Sequence, residues 1–566
     1  MPTSSCCPIN FSSIFHALSQ TPRRLRERTC ATWTPDEEVN ITRLRSGADM
    51  KRKLSWYDLV ALGVGGMLGA GVFVTTGRVA HTTAGPAVFI SYLVAGISAL
   101  LSSLCYTEFS LQIPAAGGAF SYLRITFGEF VGLVGGANML MEYVLSNAAV
   151  ARSLTEYAST AFGGRDADSW RVKMRALPKG CSNLDFPASV VVSLLTLCLC
   201  LGTKESSMLN LVMTIFHLLF FGLIIVGGFY SGSVRNLTRP KGLAPFGARG
   251  VFDGAALVYF SYLGYDSVST MAEEIKNPPL TLPLGIAGSV AIVSFLYCLM
   301  SLALSLMVPY NELTGSAPFA YAFERVGAWR WGREVVGAGA SLGILTSLLV
   351  AMLGQSRYLC VVGRARLVPS WFAKVHPSTG TPLNATAFLG TCTALISLFI
   401  ELDIVLEMIS IGALLVYYLV PNALIYHRYA RPGLTLAFLL LVSGSSFGFA
   451  LSWKLKKHWL QLALFGGLTI LCVACFQYWV PMADGQRHWR VPFMPWPAAT
   501  SIFLNVFLLA TMKKRAYQRF VVWSCLVTLY YVLYGVHSTY HGEREEREGR
   551  GQDSVTDQVK VEIEMP

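Results

Sequence analysis

Charge is what this sequence has least of. Only 14% of its 566 residues are Asp, Glu, Lys or Arg, against 53% that are hydrophobic, where a soluble domain usually carries about 25% charged side chains. Over this length the shortfall excludes an ordinary soluble enzyme. Catalytic and nucleotide motifs are missing as well: there is no P-loop, HExxH, GxSxG or dinucleotide fingerprint. Without a nucleotide site, a pump driven by its own ATP hydrolysis is disfavoured and a gradient-driven process favoured. Cysteine supplies no metal or redox framework. Cys105, Cys298 and Cys392 lie singly in apolar runs, and the CxxC of Cys472 and Cys475 sits in LTILCVACFQYWV with no His or second Cys pair nearby, so these read as packing residues. No catalytic residue, metal or cofactor is expected. Residues 1–53 lack both an 18-residue apolar run and the apolar core of a cleavable signal peptide.

What is present is a train of apolar segments. They lie near 57–77, 86–109, 128–155, 187–203, 208–230, 252–270, 284–308, 335–358, 384–400, 404–427, 433–452, 459–480, 496–512 and 520–537, each about long enough for a membrane-crossing helix. The expected fold is an all-α polytopic membrane protein of about 14 transmembrane helices. The formal net charge of +12 then points to juxtamembrane topology signals and anionic lipid, with the bilayer as partner and no nucleic acid. An even count puts both tails on one side. Arg23, Arg24, Arg26, Arg28, Lys51, Arg52 and Lys53 place that side in the cytoplasm, as do Arg364, Arg366 and Lys374. Arg171, Lys173 and Arg175, and Lys513, Lys514 and Arg515, run against this assignment. The chain divides into a cytoplasmic tail (1–53), a core of ten helices (54–430), four additional helices (431–540) and a charge-rich tail (541–566).

Two of the segments are not clean helices. The first reads GVGGMLGAGVF, with Gly63, Gly65, Gly66, Gly69 and Gly71 close together. Gly65 and Gly69 have the spacing of small-residue helix contacts. An unwound stretch at Gly69-Ala70-Gly71 is the other reading, and unwound backbone at membrane depth is tolerated where it lines a cavity or is buried in protein. The sixth segment, ALVYFSYLGYDSVSTMAEE, is interrupted from Ser261 to Gly264. Interrupted helices in matching positions of two halves point to a transporter site. Here they are the first and sixth of ten, which fits two inverted five-helix repeats. Half-helix N–H groups can hold a carboxylate and freed carbonyls an ammonium, a receptor for an amino acid head group.

These residues resemble the amino acid–polyamine–organocation superfamily, and within it the plant-type cationic amino acid transporters. The matching segments are KRKLSWYDLVALGVGGMLGAGVFVTTG (51–77), YTEFSLQIPAAGGAFSYLR (106–124), ANMLMEYVLSNAAVARS (137–153), TKESSMLN (203–210), FSYLGYDSVSTMAEEIKNP (260–278) and LGQSRYLCVVGRARLVPSWFAKVHP (353–377). The resemblance implies a leucine-transporter-type 5+5 inverted repeat plus four C-terminal helices. It also implies transport of basic amino acids, often with protons. On that reading the substrate's backbone groups meet Gly66, Met67, Gly69, Ala70, Gly71, Ser261 and Gly264. An aromatic from Phe260, Tyr262 or Tyr265 covers it, and Leu345 and Thr346 line the side-chain pocket.

Ionisable residues at membrane depth are costly and therefore functional candidates. Glu142 has no basic residue within one helical turn; it is either a buried carboxyl bonded to a neighbouring helix or a partner for a cationic substrate. Arg152 has Glu156 at i+4 and reads as a structural ion pair. Asp266 is either a cap of the second half-helix or the substrate's second charge partner. Asp58 caps the first helix or contacts a gate. His217 lies alone in an apolar run; by the resemblance it occupies the place of a fifth-helix lysine in bacterial relatives, where a group titrating near neutrality can couple protons.

The expected function is therefore a secondary transporter of cationic amino acids, with the plasma membrane as default and a vacuolar or other internal membrane as alternative. A carrier of neutral amino acids or polyamines, and an amino-acid-sensing receptor, are the rival readings.

Overall fold

The computed structural model describes residues 20–32, 34, 54–69, 71–113, 117–162, 167–178, 180–201, 206–270, 275–313, 317–327, 331–376, 379–483 and 489–541. Within them the chain is almost wholly helical. Nothing in hydrocarbon replaces a lost backbone hydrogen bond, so each apolar run satisfies its own amides by coiling.

A short helix α1 (Thr21–Arg28) precedes the first long run. The core follows as α2 (Trp56–Met67), α3 (Val88–Gln112), α4 (Ala119–Phe127), α5 (Glu129–Ala161), α6 (Phe186–Leu201), α7 (Ser206–Ser231), α8 (Gly247–Val258), α9 (Tyr265–Ser269), α10 (Pro278–Met307), α11 (Pro318–Val326), α12 (Gly332–Arg364), α13 (Leu383–Phe399) and α14 (Leu402–Arg428). The remainder is α15 (Pro432–Lys454), α16 (Trp459–Trp479), α17 (Trp496–Thr511) and α18 (Lys514–His541). Helix is present at all fourteen apolar segments. Among the described residues, eight helical stretches are long and apolar enough to cross a bilayer, and α6, α13 and α17 are shorter apolar helices. The sequence expects more spans because it counts broken and charged ones. Helix α5 is 33 residues long but carries Glu129, Glu142, Arg152 and Glu156, which lower its apolarity.

At the centre, α5 packs along both α12 and α14. Helix α3 lies against α10 and α8, α13 against α6, and α17 against α14, α15 and α3. Pro421 lies inside α14 and has no N–H to donate to the Tyr417 carbonyl four residues earlier. The Asn505 side chain of α17 fills that gap, its Nδ2 donating to Tyr417 O at 3.2 Å.

Several buried charges are paired. Glu108 of α3 faces Arg428 of α14 at 3.0 Å and accepts the Val491 N–H at 2.7 Å. Arg28 of α1 meets Glu129 at 2.7 Å, and the Tyr531 and Thr539 hydroxyls of α18 donate to the other Glu129 oxygen at 3.2 and 2.8 Å. Arg152 does not pair with Glu156 as its i+4 spacing suggests. Its guanidinium lies 3.8 Å from Asp185 and donates to the Asn183 and Ile400 carbonyls. Glu156 is taken instead by Arg171, at 3.4 Å.

Arg171 belongs to a small antiparallel ribbon, Val172–Lys173 against Asn183–Leu184, between α5 and α6. Arg171 also contacts Asp185 at 2.9 Å and Asp168 at 3.5 Å, and Lys173 contacts Asp168 at 3.0 Å. Lys173 holds the Asp168 carboxyl below its ordinary pKa. Arg171 and Lys173 are thus paired locally with acids.

Candidate functional site

Helix α2 opens with a capping box. Asp58 accepts the Ser55 N–H at 3.0 Å, so capping is a role that the structure gives this residue. The helix ends at Leu68, and winding resumes as a wide turn over Gly71–Thr75. Ala70 lies outside the described residues. The sixth segment runs as α8, tightens over Tyr259–Tyr262, extends at Leu263 and turns at Gly264 with φ +123° before α9. That φ lies where an L side chain is strained.

The two interruptions touch. A Cβ on Gly264 would stand 2.9 Å from the carbonyl carbon of Gly66, and one on Gly71 would stand 2.5 Å from Cα of Ser261. Only backbone without side chains allows this approach. Tyr297 of α10 spans both breaks, its hydroxyl bonding to the Met67 carbonyl and, at 3.1 Å, to the Ser261 carbonyl. Thr75 and Ser261 add a hydroxyl pair at 3.2 Å.

A cavity lies where the breaks meet. Its wall includes Gly66, Met67, Gly69, Gly71, Phe260, Ser261, Leu263, Gly264 and Ser267 from the broken segments, Met139, Glu142, Tyr143, Ser146 and Val150 from α5, and Ser347 and Ala351 from α12. Glu142 is 1% exposed. Its Oε2 accepts the Ala413 N–H at 3.3 Å, and its Oε1 has no hydrogen-bond partner among the described residues. A buried carboxylate oxygen without a donor is costly, so its place on a cavity wall points to a ligand that brings a donor or a positive charge.

Asp266 is held differently. It accepts from the Tyr143 hydroxyl, from the Tyr417 hydroxyl at 3.2 Å and from the Gly264 N–H at 3.2 Å. Its carboxylate thus bridges the break and reaches the cavity through Tyr143, itself a wall residue.

The structure brings together Gly66, Met67, Gly69, Gly71, Glu142, Phe260, Ser261 and Gly264 on one wall. Tyr262 points away and donates to the Tyr92 carbonyl at 2.8 Å. Tyr265 stacks on Tyr417 at 5.2 Å. Leu345 and Thr346 are not on the wall; Ser347 and Ala351 represent α12 there. His217 is buried and does not line the cavity. It stacks on Phe73 at 6.1 Å, meets Phe221 edge-on at 5.2 Å and lies against the Gly343 backbone. Its Nε2 has no partner among the described residues.

Sequence reasoning missed Tyr143, Tyr297, Ser347 and Tyr417. Tyr143 adjoins Glu142 and was the one within reach. Among the described residues, no group of His, Cys, Asp and Glu is arranged to hold a metal ion.

Comparison with known proteins identifies the family. A family profile described as "Amino acid permease" matches residues 54–531. Cationic amino acid transporter 6, chloroplastic, of Arabidopsis thaliana is 50% identical over 552 residues, 94% of each chain. Cationic amino acid transporter 1 of the same plant is 39% identical over 533 residues, 93% of this chain and 89% of its own. Cationic amino acid transporter 8, vacuolar, is 37% identical over 560 residues, 96% of this chain and 93% of its own. These relatives are transporters rather than enzymes, and this multi-pass membrane protein belongs to the amino acid permease family of the amino acid–polyamine–organocation superfamily.

Proposed function

We propose that this chain is a secondary transporter of arginine, lysine and similar cationic amino acids, working by alternating access and coupled to protons. The observation that carries the reading is Glu142, a buried carboxylate with one unpartnered oxygen, on the wall of the cavity where both broken segments meet. The relatives' names support the substrate class. The substrate's carboxylate and ammonium meet the opened backbone around Gly69, Ala70, Gly71 and Ser261–Gly264, and its side-chain cation meets Glu142. Asp266 shapes the sixth break, and His217 is the proton-coupling group.

In the architecture that suits this cycle, residues 54–430 form two inverted five-helix repeats. Residues 431–540 add four helices, which makes about fourteen crossings, and tails 1–53 and 541–566 share the cytoplasmic side. One bundle rocks against the other about the fixed site. The plasma-membrane expectation gives way here. Relatives named chloroplastic and vacuolar support an internal membrane.

The test is radiolabelled arginine uptake by the purified protein in proteoliposomes, with and without an inward proton gradient. Accumulation that lysine competes and a protonophore collapses is the expected result. Uptake of leucine or a polyamine in place of arginine would overturn the cationic assignment. His217→Asn is expected to keep arginine exchange across the membrane but to lose gradient-driven accumulation; retained accumulation would remove His217 from the coupling role. Tyr297→Phe leaves the Met67 and Ser261 carbonyls without their donor. Burial of an unmatched polar group costs about 1–3 kcal/mol, and tenfold corresponds to about 1.4 kcal/mol. The KM for arginine is therefore expected to rise by about fivefold or more, as read from uptake kinetics.

A further inference from the structure

The structure ties one of the four helices after the core into the substrate site, and this inference rests on the transport function proposed for that site. Asn505 of α17 is fully buried. Its Nδ2 is surrounded by acceptors: the Tyr417 carbonyl at 3.2 Å, the Ser501 carbonyl at 2.9 Å, Ser501 Oγ at 3.2 Å and Ser102 Oγ of α3 at 3.0 Å. Two of these are carbonyls, which only accept, so the amide nitrogen must face this side. The Tyr417 carbonyl needs an outside donor because Pro421 supplies none.

The same residue, Tyr417, sends its hydroxyl to Asp266 at 3.2 Å and stacks its ring on Tyr265 at 5.2 Å. Asp266 in turn accepts the Gly264 N–H across the sixth-segment break. One polar chain therefore runs from α17, through the proline-bearing turn of α14, to the backbone that walls the cavity.

We propose that Asn505 is a positioning residue for substrate binding: by bonding the carbonyl that Pro421 leaves free, it fixes where Tyr417 holds Asp266, and so the shape of the sixth-segment break. Asn505 touches no substrate. It acts through Tyr417, and α17 is thereby part of the binding machinery.

Arginine uptake in proteoliposomes tests this, with the amount of reconstituted protein measured for every variant. Asn505→Leu keeps the size and removes both donor and acceptor. Its KM for arginine is expected to rise about fivefold or more, the scale of one buried carbonyl left unmatched, with Vmax changed less. Tyr417→Phe should do the same, and the double variant should be no worse than the worse single. The distinguishing variant is Pro421→Ala, which returns an N–H to the Tyr417 carbonyl within the helix. In that background Asn505→Leu should lose most of its effect on KM, which a general packing role for Asn505 does not predict. Should Asn505→Leu fail to reconstitute, Asn505→Asp, which keeps the shape but replaces the donor with an acceptor, carries the same expectations. A KM within about twofold of wild type for the Asn505 variant, or an effect that Pro421→Ala leaves unreduced and that adds to Tyr417→Phe, overturns the proposal. Failure of the wild-type protein to move arginine is a separate result and counts against the transport function instead.

Discussion

Glu142→Gln is expected to raise the KM for arginine by about 30-fold or more while changing uptake of a neutral amino acid far less. The glutamine still offers an oxygen to the Ala413 N–H, which Glu142 Oε2 accepts at 3.3 Å, so the contact between α5 and α14 survives. What disappears is the carboxyl that can carry a negative charge opposite the substrate's side-chain cation. Removing one side of a desolvated charge pair costs about 2–5 kcal/mol, and about 1.4 kcal/mol is tenfold in affinity. Competition of labelled arginine uptake by unlabelled lysine and leucine reads the result directly, since only the former carries a side-chain cation. Equal loss for both substrates would make Glu142 a structural carboxyl that braces α14.

The second large effect belongs to the backbone. Gly264→Ala is expected to reduce uptake by about 100-fold in protein that still inserts and reconstitutes. Two costs combine. The residue sits at φ +123°, where an L side chain is strained by about 1–3 kcal/mol. Its new Cβ would also stand 2.9 Å from the Gly66 carbonyl carbon and 3.0 Å from its oxygen, and overpacking of this kind costs about 1–3 kcal/mol. Neither neighbour is a flexible side chain, so relief requires the two breaks to part, and the cavity lies between them. Gly288→Ala is the control. It ends a wide turn of α10 over Leu284–Gly288 with φ −64° and has nothing within 4 Å of the added methyl, and its uptake should match wild type. Comparable loss in both variants would assign the effect to membrane helices in general.

Much of this was legible in the sequence because membrane segments advertise themselves. Apolar runs set the helices, and glycines inside one run with an S-Y-L-G-Y interruption in another located the breaks to within a few residues. Glu142 and Asp266 stood out because charge is rare there. Other parts had no local signal. Tyr297 serves the Met67 and Ser261 carbonyls from 230 and 36 residues away, and one tyrosine among 24 does not announce that it bridges two loops. The partner of Arg152 was misread for the same reason: i+4 spacing named Glu156, but Asp185 came from the following connection and Arg171 from the ribbon. Leu345 and Thr346 were placed by likeness of position, and a helix turns 100° per residue, so the wall took Ser347 instead.

The Glu108–Arg428 pair has a consequence for how the chain is made. Its partners are separated by 320 positions. At synthesis rates of about 5–20 residues per second, the carboxylate emerges about 15–60 s before its guanidinium. During that interval α3 is in place with an acid that nothing from α14 can yet neutralise. Until Arg428 arrives, the Glu108 carboxyl lacks the cation that faces it in the folded protein. Closure of this pair marks the moment when α3 is joined to α14, the last helix of the core, a natural checkpoint for quality control in the membrane that inserts it.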